Sequence, residues 1–508
     1  MTSSGRALML QGTASGVGKS VLAAALCRVL RRRGLRVLPF KAQNMALNAA
    51  VTADGGEIGR AQALQALACG VDADRDMNPI LLKPEGDRTS QVVLGGEVWG
   101  RMDASEYQAR KAELWPVVTA ALDRLRSRCD VVVIEGAGSP AEVNLRRQDI
   151  VNMRVARYAG APVLLVADID RGGVFASLLG TLSLLPPRER RRVAGMIVNN
   201  FRGDAGLFAG GVRFLEQRGR VPVLAVVPHL DALRLPDEDS LDLAGFDGGG
   251  NGAAAVIDVA VLRLPRISNV DDCLPLLREP GVRVRLVEHG DRLGDPDLVL
   301  LPGSKATRAD LAVLRARGLD RAVRAAHARG TAALGICGGF QLLGRRLVDP
   351  LGSDGSRPGI SNGLGLLATS TRMSTTKVVR RVRGTVLAGP GLLTAAAGAA
   401  VAGYEIHTGR TPPLAPPLRL DAGNSATRED GARDPEGWVV GTHVHGLLES
   451  DQLRRGMLRA IAVRRGRRWR PGPLRPGPEA ELDRLADAVE AATDVPRLLA
   501  LVEQGGAG

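Results

Sequence analysis

The side chains best suited to chemistry sit at two glycine-bounded turns far apart in the chain. The first is Gly12-Thr13-Ala14-Ser15-Gly16-Val17-Gly18-Lys19-Ser20, between an apolar run and a helical pattern that opens at Lys19. Glycines let successive backbone amides turn toward phosphate oxygens, and the N-terminus of the following helix adds positive potential. Gly12, Thr13, Ser15, Gly16 and Gly18 are the expected cradle, Lys19 the cation on the β and γ phosphates, and Ser20 an Mg²⁺ ligand, so the loop calls for ATP with Mg²⁺. Thr13 stands where the strict GxxxxGK[ST] pattern has its first glycine, and Gly12 falls one residue earlier. Glu135 ends an apolar run before Gly136-Ala137-Gly138, which places its carboxylate at the sheet edge where ligands bind and suits it to hold the metal. Lys41 is placed to offset charge on a transferring phosphoryl group, and Asp54, before Gly55-Gly56, is a candidate for a second metal contact.

The second turn, Gly335-Ile336-Cys337-Gly338-Gly339-Phe340-Gln341, sets a cysteine between a strand and a helix. A helix N-terminus lowers a thiol pKa, and the Gly338 amide can face an oxyanion. Leu301-Pro302-Gly303-Ser304-Lys305 ends an earlier strand and offers Gly303 as the other oxyanion donor. A base is available downstream in Gly441-Thr442-His443-Val444-His445-Gly446, although alternation along a strand puts His443 and His445 on one face and cannot choose between them.

These turns need rigid sheets behind them. Short Val-, Ile- and Leu-rich runs at 7–11, 37–40, 131–135, 163–168, 196–199 and 223–227, separated by helix-length segments, predict buried parallel strands of an α/β fold. A Gly- and Ala-rich stretch follows, and strand-like runs resume at 256–262, 282–287, 298–301 and 331–336. The expected organisation is a nucleotide domain over 1–240, a linker over 241–255, a second α/β domain over 256–452 and a helical C-terminal appendage over 453–508. At 508 residues the chain exceeds one ordinary core of roughly 150 to 250 residues.

Composition narrows the class. A net charge of +14 raises nucleic acid as a partner, but the basic residues are mostly scattered arginines such as Arg28, Arg31, Arg32 and Arg33, and aromatic residues are only 3%. They are expected to be a solvated surface. Cys27, Cys69, Cys129, Cys273 and Cys337 show no metal-ligand spacing and no CxxC pair, which fits a reducing cytoplasm. No apolar run has the length of a signal-peptide core or a membrane span, so neither export nor a membrane partner is expected. The sequence sets no oligomeric state.

The phosphate loop resembles that of dethiobiotin synthetase, and the cysteine turn resembles the G-x-C-x-G elbow of class I glutamine amidotransferases, in which the catalytic histidine matches His445. Many members carry Glu two residues beyond it, where this chain has Leu447, so a dyad of Cys337 and His445 is expected, with His443 structural. Pro39-Phe40-Lys41-Ala42-Gln43-Asn44-Met45, Asn78-Pro79-Ile80-Leu81-Leu82-Lys83-Pro84, Asp168-Ile169-Asp170-Arg171-Gly172-Gly173 and Gly403-Tyr404-Glu405-Ile406-His407 extend the likeness over about residues 6 to 450. Together they resemble the cobyric acid synthase family. That resemblance implies a P-loop synthetase domain followed by a class I glutamine amidotransferase domain, taking ATP, glutamine and a corrinoid. ATP would activate carboxylates b, d, e and g of adenosylcobyrinic acid a,c-diamide, and glutamine-derived ammonia would convert them to amides in cobalamin biosynthesis. The alternatives are cobyrinic acid a,c-diamide synthase and, in a different class, a P-loop partitioning ATPase.

Overall fold

The computed structural model describes residues 5–85, 89–231, 233, 235, 255–423 and 426–505. Most of the expected linker, 241–254, lies outside these residues.

The first sheet is built from β1 (Arg6–Gly12), β2 (Val37–Phe40), β3 (Val131–Glu135), β4 (Val163–Asp168), β5 (Val193–Phe201) and β6 (Val223–Pro228), in the order β6-β5-β4-β1-β3-β2 and parallel throughout. Alternation decides which side chains meet on each face. Ala7, Met9, Val132 and Ile134 enter one apolar cluster, while Leu8, Leu10, Val131 and Val133 enter the other. Both faces are therefore covered, as near-continuous apolar strands require. Helix α1 (Lys19–Arg32) follows β1 through the phosphate loop, and α2 (Arg60–Cys69) packs beside it.

The second sheet contains β7 (Ile257–Leu262), β8 (Val282–Val287), β9 (Leu298–Leu301), β10 (Ala332–Ile336), β11 (Ala432–Arg433) and β12 (Val439–Thr442) in the order β8-β7-β9-β10-β12-β11, with only the β11 pairing antiparallel. Helix α3 (Gly338–Leu343) starts directly after β10. A separate sheet, including the long strands Ser370–Val386 and Ala400–Arg410, leans against the first domain, where Tyr404 and Ile406 pack with Ala49, Val51, Leu81 and Val93.

The C-terminal segment departs from a single appendage. Helix α4 (Asp451–Arg464) contributes Leu453, Met457, Leu458 and Ile461 to the second domain's core. Helices α5 (Pro478–Ala491) and α6 (Val495–Gln504) instead return to the first domain, burying Leu482, Leu485, Leu498 and Val502 with Leu22, Leu26 and Leu30 of α1. This also corrects the reading of one arginine stretch as solvated surface. Arg28 and Arg32 face Asp483 at 3.3 and 2.7 Å, and Arg28 is buried. Among the described residues no helix is long and apolar enough to cross a membrane.

Leu482 is fully buried in the first domain's core although it lies near the opposite end of the chain. Leu482→Ala is expected to destabilise that domain by about 2–5 kcal/mol. Urea unfolding followed by a probe in the first domain measures it, and an unchanged midpoint contradicts the packing.

Candidate active site

Residues at the carboxyl edge of the first sheet converge on a cavity of 730 Å³. β1 delivers the loop and α1 opens at Lys19, with Gly18 before it at φ +89, a conformation that suits glycine. Ser15, Gly16, Gly18, Lys19 and Ser20 line the cavity, together with Lys41 and Glu135. Lys19 Nζ donates to the Ala14 and Gly138 carbonyls at 2.9 and 3.3 Å, which lays the ammonium across the loop. Two expected contacts are differently employed. A Cβ on Gly12 would come within 2.8 Å of Lys19 Nζ, so Gly12 makes room for the lysine, whereas the Thr13 amide donates to Val166 O at 2.9 Å. Neither lines the cavity.

Glu135 is 1% exposed, and its carboxylate accepts from Ser20 Oγ at 2.7 Å, Lys41 Nζ at 2.8 Å and Gln65 Nε2 at 2.7 Å. Burial alone would raise its pKa; the Lys41 charge and these donors outweigh burial and hold it below the usual value. It is an anion kept ready. Asp54 does not reach this site. It stays in its own turn, pairing with Arg75 at 2.7 Å and with the Thr52 hydroxyl, and its side chain is mostly exposed.

Among the described residues no group of three or more His, Cys, Asp or Glu could cage a metal. Mg²⁺ on a nucleotide needs less, because phosphates and water supply most of its oxygens and one or two protein oxygens suffice. Ser20 Oγ and Glu135 Oε1, adjacent at the cavity wall, fit that requirement.

In the second domain β10 ends at Ile336, and Cys337 turns the chain at φ +51, ψ −106 into α3. The turn is tight: a Cβ on Gly338 would stand 2.6 Å from Ser304 N. The backbone at Gly338 accordingly packs against Ser304, and a Cβ on Gly303 would lie 3.1 Å from His445 Cε1. The residues expected around an oxyanion are thus brought together at the buried Cys337 and His445. The Cys337 thiol donates to the Ile406 carbonyl at 3.4 Å.

Sequence reasoning missed the residue behind the histidine. Asp272, in the 3-10 turn Val270–Cys273, faces His445 Nδ1 with Oδ2 at 2.7 Å and accepts the Gly446 amide on Oδ1 at 2.7 Å. Burial pulls the His445 pKa down, but the Asp272 carboxylate and Cys337 more than reverse this and raise it to about 10. The expected dyad therefore has a carboxylate partner. Leu447, two residues beyond His445, is buried and apolar. The only sequence signal was the acidic pair Asp271-Asp272 just beyond a short strand.

His443 belongs elsewhere. Its Nδ1 lies 3.0 Å from Asp430 Oδ1, and its ring stacks on His407 at 4.1 Å. Burial, helped by His443, pushes the His407 pKa down to about 4. The Cys337 cavity, of 50 Å³, is walled partly by Lys83 of the first domain and by Lys377. Both ammonium groups pair with the fully buried Glu57, Lys83 at 2.6 Å, so a first-domain carboxylate anchors a second-domain lysine at this wall.

Comparison with known proteins matches both halves. The CobQ/CobB/MinD/ParA nucleotide binding domain family matches residues 8–242, and the CobB/CobQ-like glutamine amidotransferase domain family matches 258–453. Cobyric acid synthase of Sorangium cellulosum is 52% identical, over 96% of this chain and 96% of its own. That of Rhizorhabdus wittichii is 50% identical over 98% and 100%, and that of Dehalococcoides mccartyi strain 195 is 46% identical over 99% and 100%. Among solved structures, PurLQS from Thermotoga maritima aligns with 40% of this chain and 97% of its own at 20% identity, with a TM-score of 0.31.

The imidazolium of His445 is the form that would pair with a thiolate, and the Asp272 carboxylate together with Cys337 favours it by raising the histidine pKa to about 10. In Asp272→Asn the histidine pKa falls, so the alkaline limb of glutamine hydrolysis moves to lower pH and the rate drops by about 10²–10⁴-fold. A pH–rate profile superimposable on that of the unmodified protein contradicts the assignment.

Proposed function

Because the chain belongs to the cobyric acid synthase family, we propose that it amidates peripheral carboxylates of a corrinoid, with ATP as activator and glutamine as nitrogen donor, in cobalamin biosynthesis. The substrate is adenosylcobyrinic acid a,c-diamide and the carboxylates are b, d, e and g. What carries the reading is one chain that holds Lys19, Ser20 and Glu135 around one cavity and, in its other half, opens a second cavity at Cys337 with the buried His445–Asp272 pair behind it. The cobalt travels with the substrate.

A carboxylate is a poor acyl donor until an oxygen carries a phosphoryl group. In the first domain the loop amides and Lys19 bind the triphosphate, and Lys41 offsets negative charge at the reacting phosphorus. Ser20 and Glu135 would hold Mg²⁺, which supplies charge neutralisation on the phosphates. The substrate carboxylate displaces ADP from the γ-phosphorus and becomes an acyl phosphate.

In the second domain the Cys337 thiolate attacks the glutamine carboxamide carbon, and the oxyanion forms beside the Gly303 and Gly338 amides. His445 gives its proton to the departing nitrogen, leaving a thioester and ammonia. It then removes a proton from the water that releases glutamate. Ammonia adds to the acyl phosphate, phosphate leaves, and a proton is lost as the amide forms. Five free cysteines, all buried, support a reducing cytoplasm as the place of reaction.

Both alternatives fit less well. The full-length relatives bear the name cobyric acid synthase, which favours that reaction over the a,c-diamide one, and a partitioning ATPase has no use for a cysteine elbow with a histidine–carboxylate pair beside it.

Lys19→Ala is expected to lower amidation at least ~10²-fold with either glutamine or ammonium salt as nitrogen source. Cys337→Ala should lose only the glutamine-dependent reaction, and ammonium salt at alkaline pH should restore ATP-dependent amidation. Glutamine-dependent product from Cys337→Ala, or failure of that folded variant to use ammonia, contradicts the division of labour.

A further inference from the structure

The segment that carries Asp272 is held from the other domain. Asn269 turns it at φ +53, ψ 49. The Asn269 amide donates to Asn48 Oδ1 at 2.8 Å, and its own Oδ1 accepts the Ala49 amide at 2.9 Å. Asp271 pairs with Arg60, with 8% and 23% of their side chains exposed. Asn48 and Arg60 are joined to each other, since the Arg60 amide donates to Asn48 O at 3.2 Å. The Arg60 guanidinium also lies 5.9 Å from the Tyr404 ring centroid, and Tyr404 stacks on His445 at 5.2 Å. One compact piece of the first domain thus touches the neighbours of His445 from two sides.

We propose that Arg60 and Asn48 are positioning residues for glutamine hydrolysis, clamping residues 269–271 so that Asp272 stays beneath His445. The inference rests on the roles proposed above for Cys337 and His445. The Asp272 carboxylate spends both oxygens on fixed targets, His445 Nδ1 and the Gly446 amide, so a small drift of the turn breaks both bonds. Misplacement by about 1 Å can cost about 10²-fold in rate. An ion pair buried at an interface contributes little net stability, because desolvation offsets attraction, and it is a better device for fixing one geometry than for adding stability. The second domain's reaction therefore reaches full rate only with the first domain docked against it.

The test uses the full chain with Arg60→Met, Asp271→Asn and Arg60→Lys. Glutamine hydrolysis gives kcat and KM, and ammonium-dependent amidation serves as the control. Arg60→Met and Asp271→Asn change local charge in opposite directions but release the same clamp. Both are expected to lower kcat by about 10- to 100-fold with little change in KM for glutamine. Ammonium-dependent amidation should stay at the unmodified rate, and Arg60→Lys should recover most of the loss. If Arg60→Met does not fold, the nearly isosteric Asp271→Asn decides alone. Unmodified kcat in Asp271→Asn, opposite effects in the two variants, or an equal loss of ammonium-dependent amidation overturns the proposal. Failure of the underlying reading shows separately, as glutaminase activity that survives Cys337→Ala.

Discussion

A carboxylate withdrawn from water stays ionised only where cations or hydrogen-bond donors meet it on every side. Both candidate sites of this protein are built on that constraint. Glu135 is met by Lys41, Ser20 and Gln65 and looks onto the nucleotide cavity. Asp272 is met by His445 and the Gly446 amide and fixes the orientation of that histidine. Neither could be assembled from a single loop. Glu135 needs α2 for Gln65 and β2's end for Lys41, while Asp272 needs a turn separated from His445 by 173 positions.

Helix α2 links the two centres. Its Gln62 and Gln65 reach Glu135 at 3.4 and 2.7 Å, and its first residue, Arg60, pairs with Asp271 beside Asp272. The chain's end reinforces the scaffold from outside: α5 and α6 cover α1, the helix that the phosphate loop opens, after α4 has closed the second domain. The domains are consequently held in register by the returning C-terminus and by buried charge pairs such as those on Glu57. Ammonia released at Cys337 would thus form against first-domain residues, with Lys83 in the cavity wall.

Local chemistry made much of this legible in the sequence. The strands of the first sheet and β7 to β10 of the second were readable because parallel strands covered on both faces are continuous apolar runs, and Lys19, Glu135 and Cys337 because each stands where such a run passes into a glycine turn. Asp272 was not, because a carboxylate whose partner is a distant histidine carries no local pattern, and the position two residues beyond His445 holds the buried Leu447. Asp54 misled for the converse reason, since an acid before two glycines looks like a ligand but serves Arg75 and its own turn. Arg28 and Arg32 looked solvated because their partner Asp483 lies at the other end of the chain.

The central claim is that one chain activates corrinoid carboxylates in its first domain and supplies their nitrogen from its second. Its most direct test is to incubate the full chain with adenosylcobyrinic acid a,c-diamide, ATP, Mg²⁺ and amide-¹⁵N glutamine, and to follow the corrinoid by mass spectrometry. The account predicts stepwise conversion of four carboxylates to ¹⁵N-amides, with ATP and glutamine consumed together. No ATP-dependent mass change, or amidation confined to the a and c positions of the free acid, would contradict it.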